Sequence, residues 1–163
     1  MCKPHPLWLT AGSSPSKICM ASIQANLISG RYRTEALSRH WSDNHSGVCL
    51  LSSVCQDLGS REDVSHILQW CPALQATRDK LTDYTQNKVS SVDTYLQQEL
   101  LLLCSVSNPL FCQFLLDCSS IPKIISLVQL YGSQVLSFIF DISRTWVYSI
   151  HRERLRRLGR WNA

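Results

Sequence analysis

Four residues near the middle of the chain have the types and spacing of a metal site: Cys49-x5-Cys55-x10-His66-x4-Cys71. Thiolate and imidazole are the ligands that zinc takes in structural sites, four at a time and tetrahedrally, with each ligand pair closing a short loop. Cys49 and Cys55 fall in a turn-rich segment that can bend both sulfurs toward one point. His66 and Cys71 fall on and at the end of a helix. Five residues on an ideal helix rotate a side chain by about 140°, so both reach one ion only where the last turn unwinds. Pro72 provides for this, because a proline biases the residue before it out of the helical region. Four protein ligands leave no open position for water, so the expected role is structural and not hydrolytic. A plainer reading is open on spacing alone, namely buried apolar cysteines and a surface histidine. His40 and His45 flank the segment as replacement ligands.

Eight cysteines among 163 residues is a high count. A disulfide framework belongs to secreted chains, and the N-terminal segment MCKPHPLWLTAGSSPSK has no apolar core of signal-peptide length. The expected setting is therefore intracellular and reducing, with clustered Cys and His as metal ligands. Cys2, Cys19, Cys104, Cys112 and Cys118 lack a histidine at such spacing and are expected in the core. Apolar residues are 45% of the chain, which supports a real core, and charged residues only 17%. The net charge of +4 is uneven: residues 152–160 hold five arginines against one glutamate, while residues 56–99 are acidic on balance. The most apolar stretch, 121–150, is interrupted by Lys123, Gln129, Gln134, Asp141 and Arg144, so no membrane span is expected.

The elements that must position the ligands read as helices throughout. Residues 1–15 form an irregular arm anchored by Trp8, and the abrupt start is that of a piece of something longer. Apolar spacing predicts a helix from Ser16 to Gly30 and a short second one over 31–41, begun by Thr34, with Leu37 and Trp41 inside. Residues 42–60 read as a loop or small hairpin. Ser60 begins the next helix with Asp63 as a shortened capping box. Cys71 closes it and Pro72 opens another, which points Leu74, Leu81 and Tyr84 inward. Helices over 91–105, from Asn108-Pro109, from Ile121 to Gly132, and from Ser133 to about Leu158 complete the chain. The expected architecture is an all-α helical bundle with a small irregular zinc knuckle of CCHC type inserted between helices. It divides into an arm (1–15), a helix pair with the knuckle (16–90, core 47–72) and a C-terminal helical region with a basic tail (91–163).

The ordered set Gly30, Tyr32, Thr34, Cys49, Cys55, Glu62, His66, Leu68, Cys71, Pro72 and Arg78 resembles the C-terminal cysteine/histidine knuckle of non-LTR (LINE-type) retrotransposon reverse transcriptases. There a G-x-Y-x-T helix precedes a Cys pair, an E-x-x-x-H-x-L-x-x-C-P helix follows, and an Arg comes shortly after. The resemblance covers roughly a third of the chain. It implies a non-catalytic segment behind a polymerase domain that binds element RNA or target DNA. No Asp-Asp dipeptide of a polymerase site is present, and no other enzymatic constellation has supporting context.

Nucleic-acid contacts need cations for phosphates and rings for unpaired bases. The candidates are Arg31, Arg33 and Arg39 before the knuckle, Trp70 beside Cys71, and Arg152, Arg154, Arg156, Arg157 and Arg160 in the tail, facing RNA or single-stranded DNA. Tyr32 and Trp41 read as core anchors. The alternative is a zinc-stabilised protein-interaction domain, with the apolar excess of residues 100–150 as partner surface.

Overall fold

The computed structural model describes residues 5–160. Cys2 and residues 1–4 of the arm lie outside it. Proline and capping residues open most helices, as their chemistry requires. α1 (Pro6–Leu9) begins at a proline behind His5, whose ring accepts from Leu7 N. α2 (Pro15–Ile28) also begins at a proline and runs toward Gly30, which takes the left-handed conformation, φ 69°. Thr34 caps α3 (Glu35–Arg39) by accepting from Leu37 N. Ser52 caps α4 (Ser53–Asp57).

After a turn at His66–Trp70 and a 3-10 turn at Pro72–Leu74 come α5 (Gln75–Val89) and α6 (Thr94–Leu103). Asp93 caps α6 through both Tyr95 N and Leu96 N. α7 (Phe111–Asp117), α8 (Pro122–Tyr131) and α9 (Ser133–Arg157) complete the chain. Gly132, at φ 89°, separates the last two. The expected all-α class holds. Among the described residues the extended structure is a single antiparallel bridge, Val48 with Arg61.

α9 is the axis, packing against α2, α5, α7 and α8. Its buried face includes Ile139, Phe140, Trp146, Val147 and Ile150. Removing each such side chain from water stabilises the fold by roughly 1.5–3 kcal/mol. Several polar groups in this core find partners: Trp146 Nε1 donates to Thr85 Oγ1 at 2.8 Å, and Arg144 donates to the carbonyl of Leu7 at 2.6 Å and to Thr10 Oγ1. Much of the apolar excess of residues 100–150 goes into this core, through Leu100, Phe111, Phe114, Leu115, Ile121 and Ile124. Leu102 and Leu130 stay exposed.

No single helix among the described residues is long and apolar enough to cross a membrane. Only the bent pair Phe111–Ser120 and Pro122–Tyr131 has the needed length and composition, and its apolar face lies in the core.

Several local expectations differ from the structure. The arm, expected to be irregular, carries α1, and the 42–60 segment, expected as a loop or small hairpin, carries α4. Leu7, not Trp8, anchors the arm: Leu7 is buried and Trp8 is 42% exposed. Asp63, not Ser60, caps the turn that follows, because Asp63 Oδ1 accepts from His66 N at 2.8 Å. Cys19 is exposed and Cys112 half-buried, whereas Cys104 and Cys118 are core residues. Trp41 is 84% exposed, since the five-residue α3 ends before it and the inward positions there belong to Tyr32, Thr34, Glu35 and Ala36.

Candidate metal centre

The segment from Gly47 to Arg61 doubles back on itself. Glu62 N donates to Gly47 O at 2.9 Å and Cys49 N to Ser60 O at 2.8 Å, around the Val48–Arg61 bridge. This fold-back holds Cys49 on one side. α4, capped by Ser52, carries Cys55 on the other. Gly59, at φ 60°, then turns the chain so that Ser60 N reaches Cys55 O at 2.8 Å.

His66 and Cys71 come together by a device that the ideal helix did not foretell. Residues His66–Trp70 form a π-helical turn, and Cys71 N donates to His66 O, five residues back, at 2.7 Å. An i→i+5 turn is wider than an α-turn and places residue i+5 over residue i. The roughly 140° mismatch of an α-helix at this spacing is thereby reduced. Single π-turns of this kind are rare and concentrate at functional sites. Pro72 then fixes Cys71 in extended geometry, φ −62° and ψ 116°, and the helix stops.

The result is one cluster. The ligand atoms of Cys49, Cys55, His66 and Cys71 all lie within 4.8 Å of one another and can hold a metal ion. Cys49 Sγ is 3.7 Å from Cys71 Sγ, Cys55 Sγ is 4.0 Å from Cys71 Sγ, and Cys55 Sγ is 3.5 Å from His66 Nε2. All three cysteines are buried and His66 is half-buried. The hydrogen bond from Cys49, above all, lowers the Cys71 thiol to about 5, with nearby His66 helping. The same bond and burial push Cys49 up, and burial pushes up Cys55. One sulfur of the cluster is thus readily a thiolate, the form that binds metal.

The walls of the site are polar as well as apolar. Arg78, 1% exposed, donates from Nη2 to Cys71 O at 2.6 Å and to Gln75 Oε1 at 2.8 Å. Glu62, fully buried, accepts from Glu35 N at 3.0 Å and pairs with Arg154 at 2.5 Å. It ties α3, the ligand loop and α9 into one unit. Tyr32, also buried, shares a hydrogen bond with His151 Nδ1 at 2.8 Å and lies under the Arg154 guanidinium. Composition and spacing gave no sign of these roles, because each partner is far away in the chain.

The candidate contact residues divide sharply. Arg31, Arg33 and Arg39 are exposed beside α3. Arg31, Arg33, exposed Trp41 and His45 line a cleft of about 500 Å³, and Arg39, His40 and Arg61 line a second of about 390 Å³ on the same helix. Neither His40 nor His45 joins the metal cluster; His45 pairs with Glu35 at 2.9 Å. Trp70 is 58% exposed next to Cys71.

In the tail, Arg154 is a correction: it is 3% exposed and its charge is spent on Glu62, so it has no face for phosphate. Arg156 and Arg157 both pair with Glu153, at 2.7 and 2.8 Å. The hydrogen bond from Arg156, then that from Arg157, holds the Glu153 carboxyl down at about 2 against partial burial. Arg152 and Arg160 are exposed. Comparison with family models, with curated proteins and with solved structures found no match to this chain.

Proposed function

We propose that the cluster binds one zinc ion, and that the knuckle so ordered presents the cationic and aromatic surface around α3 to single-stranded nucleic acid. The observation that carries the reading is the spacing of the ligand atoms. A tetrahedron with zinc–sulfur bonds of about 2.3 Å has sulfur–sulfur edges of about 3.8 Å, and with a zinc–nitrogen bond of about 2.0–2.1 Å its sulfur–nitrogen edge is about 3.6 Å. The distances of 3.7, 4.0 and 3.5 Å fall on those edges. Three thiolates and an imidazole favour zinc over the harder magnesium and calcium, and a closed set of four suits a structural ion.

The nucleic-acid half of the reading is supported by Arg31, Arg33 and Arg61. All three are exposed without an acidic partner among the described residues. Arg31 and Arg33 share a cleft with Trp41, a ring whose exposure is otherwise costly, and Arg61 lines the second cleft on the same helix. Phosphate neutralisation and base stacking need this pair of features. The resemblance to the tail of non-LTR retrotransposon reverse transcriptases agrees with it. Gly30, Tyr32, Thr34, Glu62 and Arg78 are the residues that fix α3 and the ligand turn in place. On this reading the chain binds and does not catalyse.

The test is metal analysis of purified protein, followed by fluorescence anisotropy with labelled single-stranded RNA and DNA across a salt series. One zinc per chain, lost in His66→Ala, and salt-sensitive binding that chelator abolishes are expected. Metal-free protein ends the zinc reading. Binding to protein partners but to neither nucleic acid would favour the interaction-domain alternative.

A further inference from the structure

Arg78 presents an electrostatic problem that its own neighbours leave unsolved. It is among the largest fully buried side chains of the protein. A guanidinium taken out of water normally needs an anion, or removal of its charge becomes favourable. Among the described residues no carboxylate forms an ion pair with it: Asp79, next in the chain, accepts from Gln75 Nε2 instead, at 2.8 Å. Only Nη2 is satisfied, by Cys71 O and Gln75 Oε1, while Nε and Nη1 are buried without a partner. A buried cation with two unpaired N–H groups in a native fold calls for an explanation.

The metal centre supplies one. Three thiolates around a divalent ion carry a net charge of −1, and that charge sits in a buried pocket whose ligand Cys71 is the residue that Arg78 touches through its carbonyl. A cation and an anion within a low-dielectric interior stabilise one another far more than they would in water.

We infer that Arg78 is the built-in countercharge of the loaded metal–trithiolate centre, so that metal affinity and the charge at position 78 are coupled. The inference rests on the metal reading above and goes beyond it, since the four ligands alone do not require a fifth, cationic residue. Metal binding and Arg78 burial then solve each other's cost: the centre becomes neutral overall, and the guanidinium gains its anion. The effect is that of an outer-shell group, whose removal typically costs about 10–100-fold in metal affinity.

The experiment compares wild type with Arg78→Lys, Arg78→Gln and Arg78→Met, measuring zinc affinity by competition with a chromophoric chelator and melting temperature with and without zinc. The expected order of affinity is wild type, then Lys, then Gln and Met, with the neutral variants weaker by about tenfold or more. The zinc-induced rise in melting temperature should shrink in the neutral variants. Should Met fail to fold, the Lys and Gln pair, matched in polarity and differing in charge, decides the matter.

A second arm places the variants in a Cys55→His background, where a two-thiolate centre is already neutral; there the penalty of losing the cation should largely vanish. Equal zinc affinity for Lys and Gln, or equal melting losses with and without zinc, would overturn the inference and leave Arg78 as a cap on the ligand turn. A wild type that binds no zinc would instead strike the metal reading itself.

Discussion

Arg154, Arg156 and Arg157, near the end of α9, each meet a carboxylate within 2.8 Å, whereas Arg31, Arg33 and Arg61, around α3, meet none among the described residues. In sequence the tail is the denser cationic signal, five arginines in nine residues. In the fold it is the quieter one. What decides whether an arginine is free for phosphate is the position of the nearest glutamate in space. Glu153 sits three and four residues ahead of Arg156 and Arg157 on one helix, the spacing at which helical side chains meet. Glu62 reaches Arg154 across 92 residues. The α3 arginines keep their charge because the acidic residues beside them, Glu35 and Glu62, are buried and already engaged.

On the proposed zinc reading the largest effect should come from removing the metal, because the two regions are held differently. α3 is docked on the ligand loop: Ala36 N donates to Glu62 O at 3.2 Å, Glu35 N to Glu62 Oε1 at 3.0 Å, and Arg39 Nη1 to Ser46 O at 3.1 Å. α9 is held by the helical core. In a small metal-stapled segment, binding free energy is folding free energy. Chelation should therefore collapse amide exchange protection over residues 35–71 and leave that of α9 nearly intact. Protection lost evenly across both regions would erase the contrast.

Next in size is the buried ion pair. Arg154→Ala leaves the Glu62 carboxylate uncompensated in the interior and should cost about 3–5 kcal/mol, or roughly 6–20 °C of melting temperature at this chain length. The paired change Glu62→Met with Arg154→Met should recover much of that loss. A variant at Arg154 that melts like wild type but binds single strands more weakly would return this arginine to the nucleic-acid surface.

Smaller, and more direct, is the salt dependence of binding. Each phosphate contact to a single strand contributes about 0.7 to the slope of log affinity against log salt. Arg31→Ala with Arg33→Ala should lower the slope by about 1.4, and Trp41→Ala should weaken binding about tenfold through lost stacking. Arg156→Ala with Arg157→Ala should lower the slope by clearly less. Equal slopes for the two double variants would mean that ion pairing to Glu153 does not withdraw the tail.

These contrasts also mark what the sequence could and could not tell. Helix ends were legible at Gly30, Thr34, Pro72 and Gly132, where a local rule about φ, capping or a missing N–H suffices. The gathering of Cys49, Cys55, His66 and Cys71 into one cluster was legible too, because thiols and an imidazole at loop-closing spacing can be brought to one point. The way His66 meets Cys71 was not. The reading assumed an α-helix that unwinds, and the structure uses a π-turn, for which five residues is the natural step. Trp41 was misplaced because apolar type was allowed to stand for burial, although a five-residue helix has too little inner face to hold it. Arg154 and Arg78 were out of reach of any local rule, since only the folded chain brings Glu62 to the one and the carbonyl of Cys71 to the other.

The smallest effect is the most pointed. If Glu153 withdraws Arg156 and Arg157 from phosphates, neutralising it should give them back. Glu153→Gln removes the acceptor charge and leaves the helix length and side-chain size unchanged. Partly exposed pairs of this kind contribute little to stability, so the melting temperature should hardly move. Affinity for single-stranded RNA or DNA at low salt should rise by a fewfold, and the salt slope should steepen toward the value expected for two added contacts. The gain should persist in the Arg31→Ala, Arg33→Ala background and disappear when Arg156 and Arg157 are alanine. An unchanged slope in Glu153→Gln would show that distance from the α3 clefts, and not pairing, keeps the tail silent.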